Sequence, residues 1–129
     1  MTITRFDPFR EFAVLPRGSW IPPVDIFETA GHDLVIKAEL PDVSREDVEV
    51  TVENNVLTLR GEKKLPVDVK EDQFRRVERD YGKFTRSFTL PNFVDPAKVS
   101  AEFKNGMLTV RLPFREEAKP RTINVEVAA

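Results

Sequence analysis

Residues 99–113 read VSAEFKNGMLTVRLP, and this stretch carries the clearest structural pattern of the chain. Apolar and polar side chains alternate on both sides of Asn105-Gly106, a dipeptide that strongly favours a two-residue type I′ turn. Pro113 has no backbone N–H to donate and therefore ends the second run. The stretch predicts a β-hairpin in which one face of each strand is buried.

Similar alternation extends through residues 24–90, with turn residues between the runs. Further strands are expected at 25–28, 33–39, 48–53, 56–60 and 84–90, with turns at Ala30-Gly31-His32 and Asn54-Asn55. The charged stretch between residues 62 and 77 predicts a long excursion from the sheet. About eight short strands without a helix of ordinary length predict an all-β fold, an antiparallel immunoglobulin-like β-sandwich.

The composition of the chain limits the cellular compartments and the kinds of partner that we expect. It has 129 residues, with 20 Lys and Arg against 22 Asp and Glu, so a formal charge of −2 gives no general attraction to nucleic acid. The absence of cysteine excludes disulfides and thiolate metal sites, and it favours a reducing cytoplasm. No apolar run approaches the ~20 residues of a membrane span. We therefore expect a soluble cytoplasmic protein with no nucleic-acid partner and no membrane span.

Catalytic chemistry has few candidate residues. The only histidine, His32, lies in a predicted turn with no serine close in sequence, so a solvated side chain is favoured over a catalytic one. Acidic pairs such as Glu46-Asp47 are adjacent in sequence, and in extended chain their carboxylates point to opposite faces. The sequence predicts no catalytic residue, no metal site and no cofactor. We therefore expect that the protein is not an enzyme.

Residues 1–23 form an N-terminal arm that differs in composition from the rest of the chain. Prolines interrupt it, and aromatic residues are frequent for so short a segment. The arm either docks on its own domain or binds other polypeptide chains, and its aromatic content favours the second alternative. The residues expected to make those contacts are Phe6, Phe9, Phe12, Val14, Leu15, Trp20 and Ile21.

Residues 114–129 form a C-terminal extension in which a charged linker precedes an apolar tip. Ile123 and Val125 stand at i and i+2, so both side chains point the same way in an extended tail, which Pro120 stiffens. The tip is expected to dock in a groove elsewhere, and the alternative is that it pairs as the last strand of its own sheet. Val125 and Val127 form a second such pair, so the register stays open.

Several motifs occur in a fixed order along the chain. They are Pro23-Val24-Asp25-Ile26 with Glu28, LTLRGE at 57–62, GKFTRSFTLP at 82–91, A-x-x-x-N-G-x-L from Ala101 to Leu108, and Ile123-Asn124-Val125. Through this ordered set, residues 24–113 resemble the α-crystallin domain of the small heat-shock proteins, in a bacterial or plant type of member. The short aromatic arm before the domain and the apolar tail after it add to the resemblance.

The resemblance implies a dimer formed by strand exchange, in which a short strand near 74–77 pairs with the partner's sheet. It places Arg86, a charged residue on an otherwise apolar strand face, at the dimer interface. The other interface residues are Phe74, Arg75, Arg76 and Val77. Arg86 is expected to bond to carboxylates or carbonyls of the exchanged loop, and Glu78 and Asp80 are both candidate partners.

The same resemblance implies that the tail of one dimer docks in a groove of a neighbouring dimer. A groove beside an edge strand offers apolar pockets and backbone partners to an extended segment. The expected lining residues are Val48, Val50, Val52, Val99, Ala101 and Phe103. Dimers joined in this way would build a larger homo-oligomer.

The function implied is that of an ATP-independent chaperone, a holdase that binds unfolding client proteins and suppresses their aggregation. ATP-dependent refolding chaperones are the implied downstream partners. The chain lacks a G-x-x-x-x-G-K-[ST] loop, which independently supports action without ATP. The alternative is a non-chaperone binding module, such as an adaptor that is monomeric or dimeric and binds one folded partner. The arm and the tail favour the chaperone.

Two positions depart from the family pattern. Asp42 stands where a glycine is common, which is acceptable if the residue does not need a positive φ. Asn124 stands where the tail motif often has proline, so the tail is expected to be less pre-organised and to bind more weakly.

Overall fold

The computed structural model describes residues 20–128, so the predicted contacts of Phe6, Phe9, Phe12, Val14 and Leu15 lie outside the described residues. Short strands dominate the described part, with brief 3-10 segments between some of them. The strands are β1 (Val24–Glu28), β2 (Asp33–Glu39), β3 (Val48–Glu53), β4 (Val56–Lys63), β5 (Gly82–Thr89), β6 (Ser100–Lys104) and β7 (Met107–Pro113). The 3-10 segments are Arg45–Asp47, Glu71–Gln73, Pro96–Lys98 and Glu116–Ala118.

The strands form two antiparallel sheets that pack face to face. One sheet has the order β1-β2-β7-β6 and the other the order β3-β4-β5. This arrangement confirms the predicted all-β sandwich, with seven strands in residues 20–128 where about eight were expected. Residues 74–77 pair with neither sheet of their own chain.

Two tight turns follow the sequence prediction closely. Asn54 and Asn55 have φ values of 52° and 61°, and Asn105 and Gly106 have 54° and 74°. A type I′ turn requires positive φ at both central positions, which explains the choice of Asn and Gly. Asp42 also has a positive φ, 62°. Aspartate was expected to replace glycine here only if the residue needed no positive φ, and the structure shows that it does need one. Aspartate tolerates this conformation better than most residues, because its short side chain bonds locally.

The core lies between the sheets and follows from the alternation within the strands. In β4, Leu57 and Leu59 are fully buried, and Phe84 of β5 is 1% exposed. The facing sheet contributes Ile36, Ala38, Leu108, Val110 and Leu112. Each fully buried Leu or Phe side chain contributes about 1.5–3 kcal/mol, so this set supplies the main favourable term for folding in a chain without cysteine.

The hairpin of β4 and β5 is longer than the sequence predicted. Its ladder continues past Arg60 to the pairs Glu62 with Lys83 and Lys63 with Gly82. The charged residues of this extension gave no sequence signal for a strand. A strand continues wherever its backbone finds hydrogen-bond partners, and its exposed face accepts charged side chains. Lys63 is nevertheless only 4% exposed, since its side chain lies on the inner side of the extension.

Candidate functional site

The edge strands β3 and β6 belong to different sheets and enclose an apolar groove on one side of the sandwich. In β3, Val48, Val50 and Val52 face inwards and are half-buried, while the residues between them are exposed. The groove contains a cavity of about 230 Å³. Its lining residues are Arg45, Val48, Val50, Ala101, Phe103 and Leu108.

Four of the six residues predicted for this groove line the cavity, namely Val48, Val50, Ala101 and Phe103. Val52 and Val99 pack against the core, as Val48 and Val50 also do, but they do not line the cavity. Two lining residues, Arg45 and Leu108, were not predicted. The hairpin register pairs Phe103 with Leu108, so the sequence held a signal for Leu108. Arg45 comes from the 3-10 segment before β3, where no periodic pattern marks a position.

Both walls of the groove offer unpaired backbone groups. Among the described strands, β3 pairs with β4 alone and β6 pairs with β7 alone, so each has an edge without a neighbour. An exposed strand edge accepts an added extended segment through main-chain hydrogen bonds, while side-chain pockets supply specificity. The groove therefore has both features that an extended apolar peptide requires.

The tail of the same chain has the complementary pattern. Residues 121–128 contain no strand, and the exposed fractions of Ile123, Val125 and Val127 are 73%, 90% and 94%. The tail leaves the domain after Arg115, whose N–H donates to the Phe93 carbonyl at 2.7 Å. The alternative in which the tail is the last strand of its own sheet is not the arrangement found.

The root of the N-terminal arm is held on the domain. Trp20 Nε1 donates to the Gly82 carbonyl at 3.0 Å, and the Trp20 backbone N–H donates to the Lys83 carbonyl at 3.1 Å. The indole meets the ring of Phe84 edge-on, with centroids 5.5 Å apart. Trp20 was predicted to contact other chains, but here it packs on its own domain. Ile21, from the same predicted set, is 74% exposed.

Arg86 is half-buried on β5 and bonds within its own chain. Its Nη1 donates to the Pro22 carbonyl at 3.0 Å, and its guanidinium lies 5.2 Å from the Phe88 ring centroid. The side chains of Glu78 and Asp80, the two candidate partners, are not its acceptors within the chain. Glu78 instead lies 3.8 Å from Arg76.

The excursion between β4 and β5 holds the residues expected at the dimer interface. Phe74 and Val77 are half-buried, and Arg75 Nη1 donates to the Asp72 carbonyl at 3.1 Å. At the far edge of the other sheet, Ile26 and Phe27 of β1 are 48% and 43% exposed. The edge of β1 is therefore apolar, and β1 pairs with β2 alone among the described strands.

Residues 20–128 contain neither a cluster of metal-ligating side chains nor a membrane-spanning helix. No group of three or more His, Asp or Glu side chains is placed to hold a metal ion in this part of the chain. None of its helical segments is long and apolar enough to cross a membrane.

Residues 26–127 match the Hsp20/alpha crystallin family. The chain belongs to this family. It is 35% identical to small heat shock protein C2 of Rickettsia felis over 126 residues, which cover 93% of this chain and 80% of the relative. It is 41% identical to the 18.1 kDa class I heat shock protein of Medicago sativa over 136 residues, covering 96% and 95%.

Two solved structures of small heat-shock proteins show the same fold. HspA from Xanthomonas axonopodis superposes with a TM-score of 0.66 at 38% identity, covering 74% of this chain and 95% of that one. The Xylella fastidiosa protein, described as having a distinct high order structure, gives 0.70 at 34% identity, with 84% and 98% covered. These matches confirm the resemblance and the α-crystallin sandwich. Membership in the small heat-shock protein family gives the chain a stress-related chaperone role.

Proposed function

We propose that the protein is an ATP-independent holdase, which binds partly unfolded clients and suppresses their aggregation under heat or other stress. The observation that carries the proposal is the complementarity within one chain of an apolar groove and an exposed apolar tail. An exposed apolar tail and an apolar groove on the same chain are suited to joining copies of the chain. The proposed compartment is the cytoplasm.

The proposed assembly is built from tails that dock in grooves of neighbouring dimers. Burying Ile123 and Val125 between β3 and β6 supplies about 3–5 kcal/mol before ordering costs are subtracted. A single contact of this strength separates readily, but many contacts around a closed assembly hold together through avidity. Subunits joined in this way exchange, and the assembly loosens on heating.

The proposed dimer uses the opposite side of the sandwich. An apolar strand edge such as β1, with Ile26 and Phe27 exposed, favours pairing with a segment from a second copy. The segment near 74–77 of the excursion fits this role, because it carries Phe74 and Val77 and pairs with neither sheet of its own chain. Arg86 is proposed to lie at the edge of this interface.

Client binding is proposed for the apolar side chains of the arm. Phe6, Phe9, Phe12, Val14 and Leu15 supply large apolar surfaces between prolines and charged residues, and Ile21 continues the series. Because Trp20 is fixed to β5, it serves as the anchor of the arm in this proposal. ATP-dependent refolding chaperones are the proposed recipients of the clients that are held.

Heating a client protein in nucleotide-free buffer and following its light scattering tests the proposed function. The protein should suppress aggregation at roughly stoichiometric amounts, and added ATP should change nothing. A chain that lacks residues 1–19 but keeps Trp20 should have the same thermal midpoint and protect the client less well. An adaptor for one folded partner would be a monomer or dimer and would leave the scattering unchanged, which would refute the holdase.

A further inference from the structure

The arm joins the domain through a short segment, residues 20–23, which we call the strap. Trp20 is bonded to Gly82 and Lys83 at the start of β5, and Pro22 is fully buried. The Pro23 carbonyl accepts the Glu39 N–H at 3.0 Å. The strap therefore crosses from the sheet of β5 to the sheet of β1, and it closes the side of the sandwich opposite the groove.

The side chain of a lysine is buried beneath the strap. Lys63 is 4% exposed, and its Nζ lies 5.3 Å from the Trp20 ring centroid and 5.9 Å from that of Tyr81. No carboxylate of residues 20–128 lies within ion-pair distance of this nitrogen. The Asp42 carboxylate is bonded to Arg79 at 3.0 Å. The Lys63 side chain is thus largely covered, and its ammonium faces two aromatic rings without an ion pair to any carboxylate of the described residues.

We propose that Lys63 makes the docking of the strap metastable, because its ammonium loses part of its water when Trp20 covers the side chain and regains it when Trp20 leaves. Trp20 is where the arm joins the domain, so Lys63 controls how firmly the described root of the arm is held. The importance of this control for clients rests on the proposed function of the arm. Lys63 is a positioning residue in this account and touches no client.

Two opposing effects decide the strength of docking. A cation over an aromatic face is attracted by the negative face of the ring, which favours docking. Taking an ammonium even partly out of water is costly, and without an ion pair the rings compensate only part of that cost. The strap is therefore held by its hydrogen bonds and apolar contacts, and the partly dehydrated charge opposes them.

The electrostatic surroundings of Lys63 agree with this balance. Burial is the main cause that lowers the pKa of Lys63, the positive charge of Arg79 lowers it further, and Asp42 and Asp80 partly offset both. Arg79 also lies 5.6 Å from the ring of Tyr81, on which Lys63 rests. Once Trp20 leaves, the pKa returns towards the ordinary lysine value of ~10.4. Between the two pKa values the open state binds more protons, so docking strengthens as pH rises.

Trp20 is the only tryptophan of the chain, so its fluorescence reports directly on the strap. Lys63→Met keeps a long apolar side chain without the charge. We expect its emission to shift to shorter wavelength and the opening equilibrium, measured by acrylamide quenching on heating, to fall about tenfold. Lys64→Met is the matched control, because that neighbouring side chain is 62% exposed and pairs with Asp47 outside the strap. It should behave as the wild type.

Easier quenching of Lys63→Met would mean that the ammonium holds Trp20 in place, and unchanged quenching would mean that it has no effect; either result overturns the inference. If the variant does not fold, the wild type decides the matter, because quenching should weaken between pH 7 and pH 10. Quenching that stays constant or strengthens with pH would contradict the inference. Client protection by the Lys63→Met variant is measured separately. If Trp20 docks more tightly but clients are protected as well as by the wild type, Lys63 still controls the strap, and the arm does not bind clients.

Discussion

Arg86 donates a hydrogen bond from Nη1 to the carbonyl oxygen of Pro22, and the two atoms lie 3.0 Å apart. Pro22 is fully buried, so this carbonyl has no access to bulk water and depends on a protein donor. The bond explains why a charged residue occupies an apolar position of β5. It also joins the strap to the sheet at a second point beyond Trp20.

Arg86→Met should lower the free energy of unfolding by about 1.5–3 kcal/mol, because it removes a charged donor and leaves a buried carbonyl unsatisfied. Urea denaturation measures this loss. Arg60→Met, an exposed change on β4, is the control and should stay within about 0.5 kcal/mol of the wild type. Equal losses in the two variants would show that the bond to Pro22 does not stabilise the chain. A loss that varies with protein concentration would place the arginine between copies.

Gly61→Ala should strongly destabilise the domain. A Cβ at this position would overlap the Asp47 carbonyl oxygen and would lie 2.6 Å from Cζ of Phe84, which is itself buried. Because the backbone on one side and the core on the other cannot both move away, the loss should reach the upper part of the 1–3 kcal/mol typical of overpacking, or about 3 kcal/mol. Thermal or urea unfolding measures it.

Gly31→Ala provides the comparison for that prediction. A Cβ there would lie 3.8 Å from Thr29 Oγ1, an ordinary contact, so little change in stability is expected. If both alanine variants unfold at the same midpoint, the tight packing around Gly61 does not contribute as described.

Replacing both Ile123 and Val125 by glycine should reduce the assembly to dimers, because the tail then has no apolar pair to bury in a groove. Native mass spectrometry measures the size, and the β-sheet circular-dichroism spectrum should stay unchanged, since both side chains lie outside the core. An assembly of undiminished size would reject tail docking in the groove.

Single glycine substitutions determine the register of the tail. If Ile123 and Val125 dock, Ile123→Gly weakens the assembly and Val127→Gly does not. If Val125 and Val127 dock, the effects are reversed. Val125→Gly should weaken the assembly in either register, so an assembly that tolerates this change would contradict both.

Much of the fold was predictable because its signals are local. Asn105-Gly106 and the alternation around it specify one hairpin, since turn chemistry and a period of two act within a few residues. The inward-facing positions of Val48, Val50 and Phe103 followed from the same alternation. These are positions where backbone geometry and burial agree over a short window of sequence.

The strap and the end of β4 were not predictable, because tertiary contacts decide them. Trp20 looks like the other aromatic residues of the arm, and only the carbonyls of Gly82 and Lys83, more than sixty residues away, distinguish it. Lys63 reads as the start of a solvated loop, and its burial depends on Trp20 and Tyr81. Arg86 was recognised as unusual, but its acceptor in the chain is a backbone carbonyl, which no sequence pattern marks.

Cross-linking from the tail tests most directly whether this small heat-shock protein binds other copies of the chain through segments outside its β-sandwich. A photoreactive residue at Val125, in a mixture of isotopically light and heavy copies, distinguishes links between copies from links within one. The account predicts mixed light–heavy products joined to the Val48–Val50 or Ala101–Phe103 segments. Links confined to single copies would contradict it.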